Sequence, residues 1–210
     1  AGEGDINLAM NGPVPSVFDY LSGDPINATD DLPFDVGQTD GQADMTVRIR
    51  FPTVADLLVE DVKVTAEAEL TDLLIPDVIR GLPLSGGPFA LSATTEHYKL
   101  TGSGRLGDTP VTLEWEEYFS PQPEADFLSR VNAKLTADAD IRERFGSDPY
   151  SWITGVSQVD VTYTESKTGG ADRLDVTANM REAEITIPEL NVTKSKGQPA
   201  TLTLSGRVEG

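Results

Sequence analysis

The sequence predicts a mainly β fold: an extended, twisted antiparallel sheet curling into a groove or a sandwich-like shape, with two or three short helices. Three observations lead there. Apolar residues occupy every second position in segment after segment. Met45, Val47, Ile49 and Phe51 sit among Asp44, Thr46, Arg48 and Arg50; Val62, Val64, Ala66, Ala68 and Leu70 sit among Lys63, Thr65, Glu67 and Glu69. Side chains alternate across a strand, so each segment has one apolar and one polar face, as in an antiparallel sheet covered on one side. The 14 prolines and 19 glycines, against 7% aromatic residues, suit strands punctuated by turns. A chain of 210 residues is also long enough to bury a core as one β unit.

The elements follow in order. A first strand is expected at Asp5–Asn11, then a helix at Pro15–Ser22, with Pro15 in its first turn, Gly23 as its stop and Val17, Tyr20 and Leu21 as its apolar stripe. Gly23–Gln42, rich in Asp, Gly and Pro, reads as a loop. Strands are expected at Ala43–Phe51 and Glu60–Leu74, followed by a connection over Pro76–Pro88. Phe89–Leu106 exceeds one ordinary strand, and its apolar phase shifts by one, which predicts a turn or bulge near Thr94–His97. Gly107–Pro110 is a turn into Val111–Phe119, and Phe127–Leu135 is a further strand. Ala137, Ile141 and Phe145 recur at helical spacing before Gly146, and Asp148 is placed to cap a turn through Trp152. Strands resume at Val156–Thr164 and Arg173–Ile187 around a Thr168-Gly169-Gly170 hairpin, and the chain closes with Leu190–Thr193 and Ala200–Val208. A sequence that begins and ends in strand pattern is expected to be one β-rich unit, residues 1–210, cut from a longer protein. Leu100–Leu106 echoes Leu202–Val208, which either a repeated unit or shared strand chemistry accounts for.

Charge narrows the partners. The net charge of -19 repels phosphate backbones, so nucleic acid is not expected; salt adaptation and a functional acidic surface both account for such a balance. The absence of cysteine removes disulfides, thiolate metal sites and Cys nucleophiles. No apolar run approaches the ~20 residues of a membrane span.

No motif carries catalysis. His97 stands between Glu96 and Tyr98 without a nucleophile motif and reads as a strand histidine. Gly102-Ser103-Gly104 lacks the spacing of a nucleophile elbow and is followed by strand rather than helix. Glu114 and Glu116 share a face beside Trp115 and Glu117, more in the manner of a solvated strand face than of a paired-carboxylate site. Asp24, Asn27, Thr29, Asp30 and Asp31 make an oxygen-rich loop that lacks the Gly and bidentate Glu of an EF-hand. Asn27-Ala28-Thr29 and Asn191-Val192-Thr193 match the glycosylation triplet by pattern only. No catalytic residue, metal or cofactor is expected. The apolar face remains: it packs on a second sheet and the helices, or it lines a groove for an apolar ligand.

One stretch resembles a known family. Gly102-x-Gly104-x-Leu106-Gly107-x-x-Pro110-Val111-x-Leu113-x-Trp115-x-Glu117-x-Phe119 is similar to the central region of bacterial AsmA-like proteins of the YhdP type. Ile141–Gly146, Thr154-Gly155-Val156 leading to Val161–Tyr163, and Leu190 with Lys194, Gly197, Pro199 and Ala200 resemble the same family, so the likeness spans residues 42–200. Asn191-Val192 departs from the Gly-Trp-like pair expected there, and the first forty residues match least. The resemblance implies a periplasmic β-sheet body, tethered to the inner membrane by regions outside this sequence, whose hydrophobic groove moves phospholipid towards the outer membrane. The remainder of the longer chain would be a further partner. Met45, Val47, Ile49, Phe51, Val62, Val64, Ala66 and Ala68 are then the groove candidates, and this face is expected to stay partly uncovered. The alternative is a structural or protein-binding β-module of the envelope that acts through its sheet edges.

Overall fold

The structure, a computed structural model, describes residues 2–21, 35–58, 61–146 and 152–208. Its elements are β1 (Gly2–Pro13), α1 (Val14–Leu21), β2 (Asp40–Thr53), β3 (Lys63–Ile79), β4 (Leu82–Thr94), β5 (His97–Leu106), β6 (Thr109–Tyr118), β7 (Ser129–Ala137), α2 (Ala139–Arg144), β8 (Ile153–Gly155), β9 (Ser157–Thr164), β10 (Asp172–Asn179), β11 (Ala183–Ile187), β12 (Val192–Lys194) and β13 (Thr201–Val208). The 10-stranded sheet runs β1-β2-β3-β4-β5-β6-β7-β9-β10-β13 and is antiparallel at every step; β12-β11-β8 form a small second sheet. The large sheet is not closed.

The alternation read from the sequence sets the faces. On β2 and β3, Ala43, Met45, Val47, Val64, Ala66, Ala68 and Leu70 are buried while Asp44, Thr46, Thr65, Glu67 and Glu69 are exposed. Buried side chains of β2 to β6 join in one cluster. Phe89 is 0% exposed, Val47 and Leu73 are 1% exposed, and among the described residues no second layer of that width faces these strands. The cover therefore comes from the sheet's own twist and curl, the usual consequence of strand handedness.

The sheet's two ends differ. Antiparallel order brings the ends of β1, β3, β5, β7 and β10 together with the starts of β2, β4, β6, β9 and β13. At this end α1 packs on β1 and β2, and α2 packs on β7 and β8. Ile141 of α2 joins Leu82 and Ala137 in a small cluster, and the second sheet adds Ala183 beside Ala178 and Met180. Asp138, rather than a residue inside the helix, caps α2 by accepting from the Ile141 amide. The opposite end is made of loops, where Val54, Leu57 and Leu58 are exposed.

Several sequence-based boundaries need correction. The expected connection over Pro76–Pro88 is instead β3 continuing to Ile79 and β4 starting at Leu82 across a tight turn at Arg80-Gly81. Asp72, Asp77 and Arg80 take positive φ, and the β3–β4 register shifts between Ile75 and Ile79, so irregularities carry the strand past Pro76. Arg173–Ile187 is two strands in different sheets, broken at Arg181-Glu182 after buried Met180. Ala137 ends β7 rather than starting α2, and Ile153–Gly155 is strand. The Asp148 cap lies outside the described residues, as do the Asp24–Asp31 loop and the side chains of Val17, Tyr20 and Leu21. The turn near Thr94–His97 is present: β4 ends at Thr94, and Thr94 Oγ1 accepts from the His97 amide at 3.1 Å.

Phe89 shows why β5 carries two glycines. Its ring lies over Gly102 and Gly104; a Cβ on Gly104 would meet Phe89 Cζ at 2.7 Å and Ser85 O at 2.4 Å. Phe89→Ala should cost about 3–5 kcal/mol, the range for emptying a buried aromatic site, and Gly104→Ala should destabilise through the opposite fault, overpacking. Urea denaturation of both variants measures this; a loss under about 1 kcal/mol for Phe89→Ala would mean the ring is not part of a packed core.

Candidate functional site

Cross-strand register shows the apolar face to be continuous. One transverse row runs Met10, Met45, Ala68, Leu91, Leu100, Trp115, Val131, Tyr163, Leu174 and Gly206. The next row towards the helical end includes Ala43, Leu70, Phe89, Leu113, Ala133, Val161, Val176 and Leu204. Burial falls along these rows. Side chains of β2 to β6 are largely buried, those of β7, β9 and β10 mostly half-buried, and on β13 Leu202 and Leu204 are 42% and 55% exposed.

The sequence-predicted groove residues divide accordingly. Met45, Val47, Val64, Ala66 and Ala68 share the buried face of β2 and β3, whereas Ile49, Phe51 and Val62 are half-buried towards the loop end. The expectation that this face stays uncovered therefore fails at the first five positions, which the packed core of β2 to β6 covers. Gly4 makes room for Phe51: a Cβ there would lie 2.5 Å from the ring. The more open part of the face, on β9, β10 and β13, escaped the groove candidates chosen from sequence. Its signal was present in the Leu174–Met180 and Leu202–Val208 alternation.

A polar rim borders the face at the loop end. Continuing the register, Val47, Ala66, Ala93, Tyr98, Glu117 and Ser129 form one row, with Glu165 bonded to Ser129 through the backbone. Glu117 points to the apolar side, where its Oε2 accepts from Tyr98 Oη at 2.9 Å, Trp115 Nε1 at 3.0 Å and Ser129 Oγ at 3.4 Å. Burial raises the Glu117 carboxyl above its ordinary range, and those three donors only partly offset this. Burial, and then the Glu117 charge, push the Tyr98 phenol well up. Across the sheet, Tyr163 donates to Asp172 at 2.6 Å; burial and that bond raise its phenol as well.

The other sequence candidates are separated. His97 Nδ1 lies 3.1 Å from Thr94 Oγ1, and its ring rests against Tyr118. Ser103 bonds Thr112 at 3.1 Å on the polar face. Glu114 pairs with Lys99 at 3.4 Å, and Glu116 accepts from Tyr118 at 3.3 Å. Asn191 is a left-handed cap after a 3-10 turn, which explains how Asn serves at that position. A shallow depression of about 410 Å³ on the polar face is bordered by Thr112, Lys134 and Asp160, with Lys134 and Asp160 paired at 3.2 Å. Among the described residues no group of acidic or histidine side chains is arranged to hold a metal, and no helix is long and apolar enough to cross a membrane.

Sequence reasoning also missed three cations that hold backbone. Buried Arg142 donates to the carbonyls of Gly155 at 3.0 Å, Ile153 at 3.1 Å and Ala137 at 3.3 Å, tying α2 to β7 and β8. Lys167 donates to the carbonyls of Gln122 and Ala125, and Lys194 to that of Ala183 at 2.6 Å. Nothing local in the sequence distinguishes these cations from solvated ones.

No family model, curated protein or solved structure matches this chain.

Glu117 gives a pH prediction. A carboxyl raised in the folded state favours the protonated form, so its cost to stability is absent at low pH and grows as pH rises from the unfolded value, about 4.3, through the folded one. Glu117→Gln should therefore gain in melting temperature relative to the parent between pH 4.5 and pH 7.5. A difference that stays constant across that range would show that Glu117 titrates as a solvated group.

Proposed function

We propose that the apolar face of the large sheet is a binding surface for the acyl chains of a phospholipid or similar lipid, held non-enzymatically along β7 to β13. The observation that carries this reading is the coincidence of continuity and exposure. The row Ala43, Leu70, Phe89, Leu113, Ala133, Val161, Val176 and Leu204 carries no polar side chain, and along it burial falls from buried on β2 to β4 to half-buried on β6 to β10 and exposed on β13. A contiguous apolar surface left uncovered beside a packed core is what a ligand of low polarity requires. The acidic exterior keeps such a surface in solution, and the half-buried Glu117, Asp172 and Tyr163 at the loop end offer a polar boundary where a headgroup would stop.

The resemblance to AsmA-like proteins points the same way and supplies the compartment: a periplasmic position between two membranes, with membrane contact made elsewhere in the full-length protein. A second reading, a structural or protein-binding module, draws on the edge of β13, which among the described residues pairs with β10 alone.

The test is photo-crosslinking to lipid. A photoreactive residue at Val176 or Leu204 should label radiolabelled phospholipid from phosphatidylethanolamine–phosphatidylglycerol vesicles. The neighbours Thr177 and Ser205, on the opposite face, should label several-fold less. Val47, in the covered part, should fall below Leu204. Equal labelling from both faces, or none from either, would reject the lipid reading and leave the module.

A further inference from the structure

We propose that an acyl chain lies parallel to the strands on β7, β9 and β10, its ester at the loop end and its methyl end against α2, so that this stretch selects phospholipid by chain length. The proposal rests on the lipid reading above and adds a direction and a limit to it.

The stretch belongs to strands inside the sheet. Two neighbouring rows, Val131–Tyr163–Leu174 and Ala133–Val161–Val176, are aligned across β7, β9 and β10, and all six side chains are half-buried. Its two ends are closed by different chemistry. Towards the helical end, Leu135 and Val159 of the next row pack against Ile141 of α2, while Ala178 and Met180 are buried with Ala183 of the second sheet. Towards the loop end the apolar rows give way to Glu117, Ser129, Glu165 and Asp172. Ser129 stands opposite Glu117 and is bonded to Glu165 through the backbone. Glu165 and Asp172 lie two residues beyond Tyr163 and Leu174, which places both on the same face as the apolar rows.

A ligand that fits between these limits is linear, apolar along its length and polar at one end. An extended peptide would bring polar backbone groups to the whole stretch, which offers them no partners. The strand from Ser129 to Leu135 spans ~20 Å at the usual rise per residue. The chains of one leaflet fill about half of the ~30 Å hydrocarbon core of a bilayer. An ordinary membrane acyl chain therefore fits between the polar row and α2, and a much longer one meets α2 before its ester reaches the polar row. Glu117, Glu165 and Asp172 repel a carboxylate at that end, so the ester of a phospholipid suits it better than a free fatty acid does.

Equilibrium dialysis against lysophosphatidylethanolamines, each below its micelle-forming concentration, measures the limit. Affinity should rise from the lauroyl to the palmitoyl compound and fall several-fold at the behenoyl one. Palmitate should bind several-fold more weakly than the palmitoyl ester. Ala133→Phe, which fills the middle of the stretch, should move the optimum to the lauroyl compound, whereas Thr177→Phe on the opposite face should leave the series unchanged. A diazirine at the methyl end of the palmitoyl chain should crosslink to peptides that contain Leu135 or Ile141, and one beside the ester to peptides that contain Glu117 or Tyr163. The reverse labelling, or affinity that keeps rising through the behenoyl compound, would overturn the proposal and leave a lipid site in place. Binding by no member of the series would overturn it as well, and labelling from Val176 in vesicles would then decide whether the lipid reading survives without it.

Discussion

The structure rests on one constraint: a single sheet carries its apolar face across ten strands and has to find cover for it. Two-layer β folds place a second sheet opposite such a face. Here the small sheet and both helices gather at one end, and the strands β2 to β6 are buried largely by the curl of the sheet to which they belong. Because each residue shift would transfer the apolar set to the polar side, the same face also fixes the register. The long, nearly unbroken pairings of β1 with β2 and of β5 with β6 are the result.

Curl at this density needs space as well as apolar surface. Phe89 fills the middle of the core only because Gly102 and Gly104 leave no side chain beneath its ring. Gly41, at positive φ, lies within about 3 Å of the β3 backbone at the bulge on Asp72, measured from where a Cβ would sit. The irregular segments are fastened differently. Arg142, Lys167 and Lys194 each donate to two or more backbone carbonyls, so part of the small basic complement of an acidic chain ties down backbone at strand ends and connections.

Strand identity was legible because it depends on a local period. The alternation of β2, β3, β6 and β9 and the phase break before His97 all reflect which neighbours along the chain share a face. What failed was punctuation. The stretch Pro76–Pro88 reads as a connection, yet positive-φ residues at Asp72 and Asp77 absorb the distortion inside a longer strand. Arg173–Ile187 alternates on both sides of its turn, but the apolar phase shifts by one between Met180 and Ala183, the same signal that marks Thr94–His97 and one that was passed over here. The candidate face was legible in kind but not in location. Alternation shows that a side is apolar, whereas cover depends on curl, which joins residues far apart in sequence. Hence Val47 and Ala66, chosen as open, are buried, while Leu202 and Leu204 carry the exposure.

Amide hydrogen exchange read by mass spectrometry tests the central claim most directly, because protection follows local stability. A self-covered core grading into an uncovered face predicts the slowest exchange in β3 to β5, intermediate exchange in β7 and β9, and the fastest strand exchange in β13. Uniform protection across all ten strands, or protection of β13 equal to that of β4 in the isolated monomer, would mean that something covers the whole face, and would contradict the account.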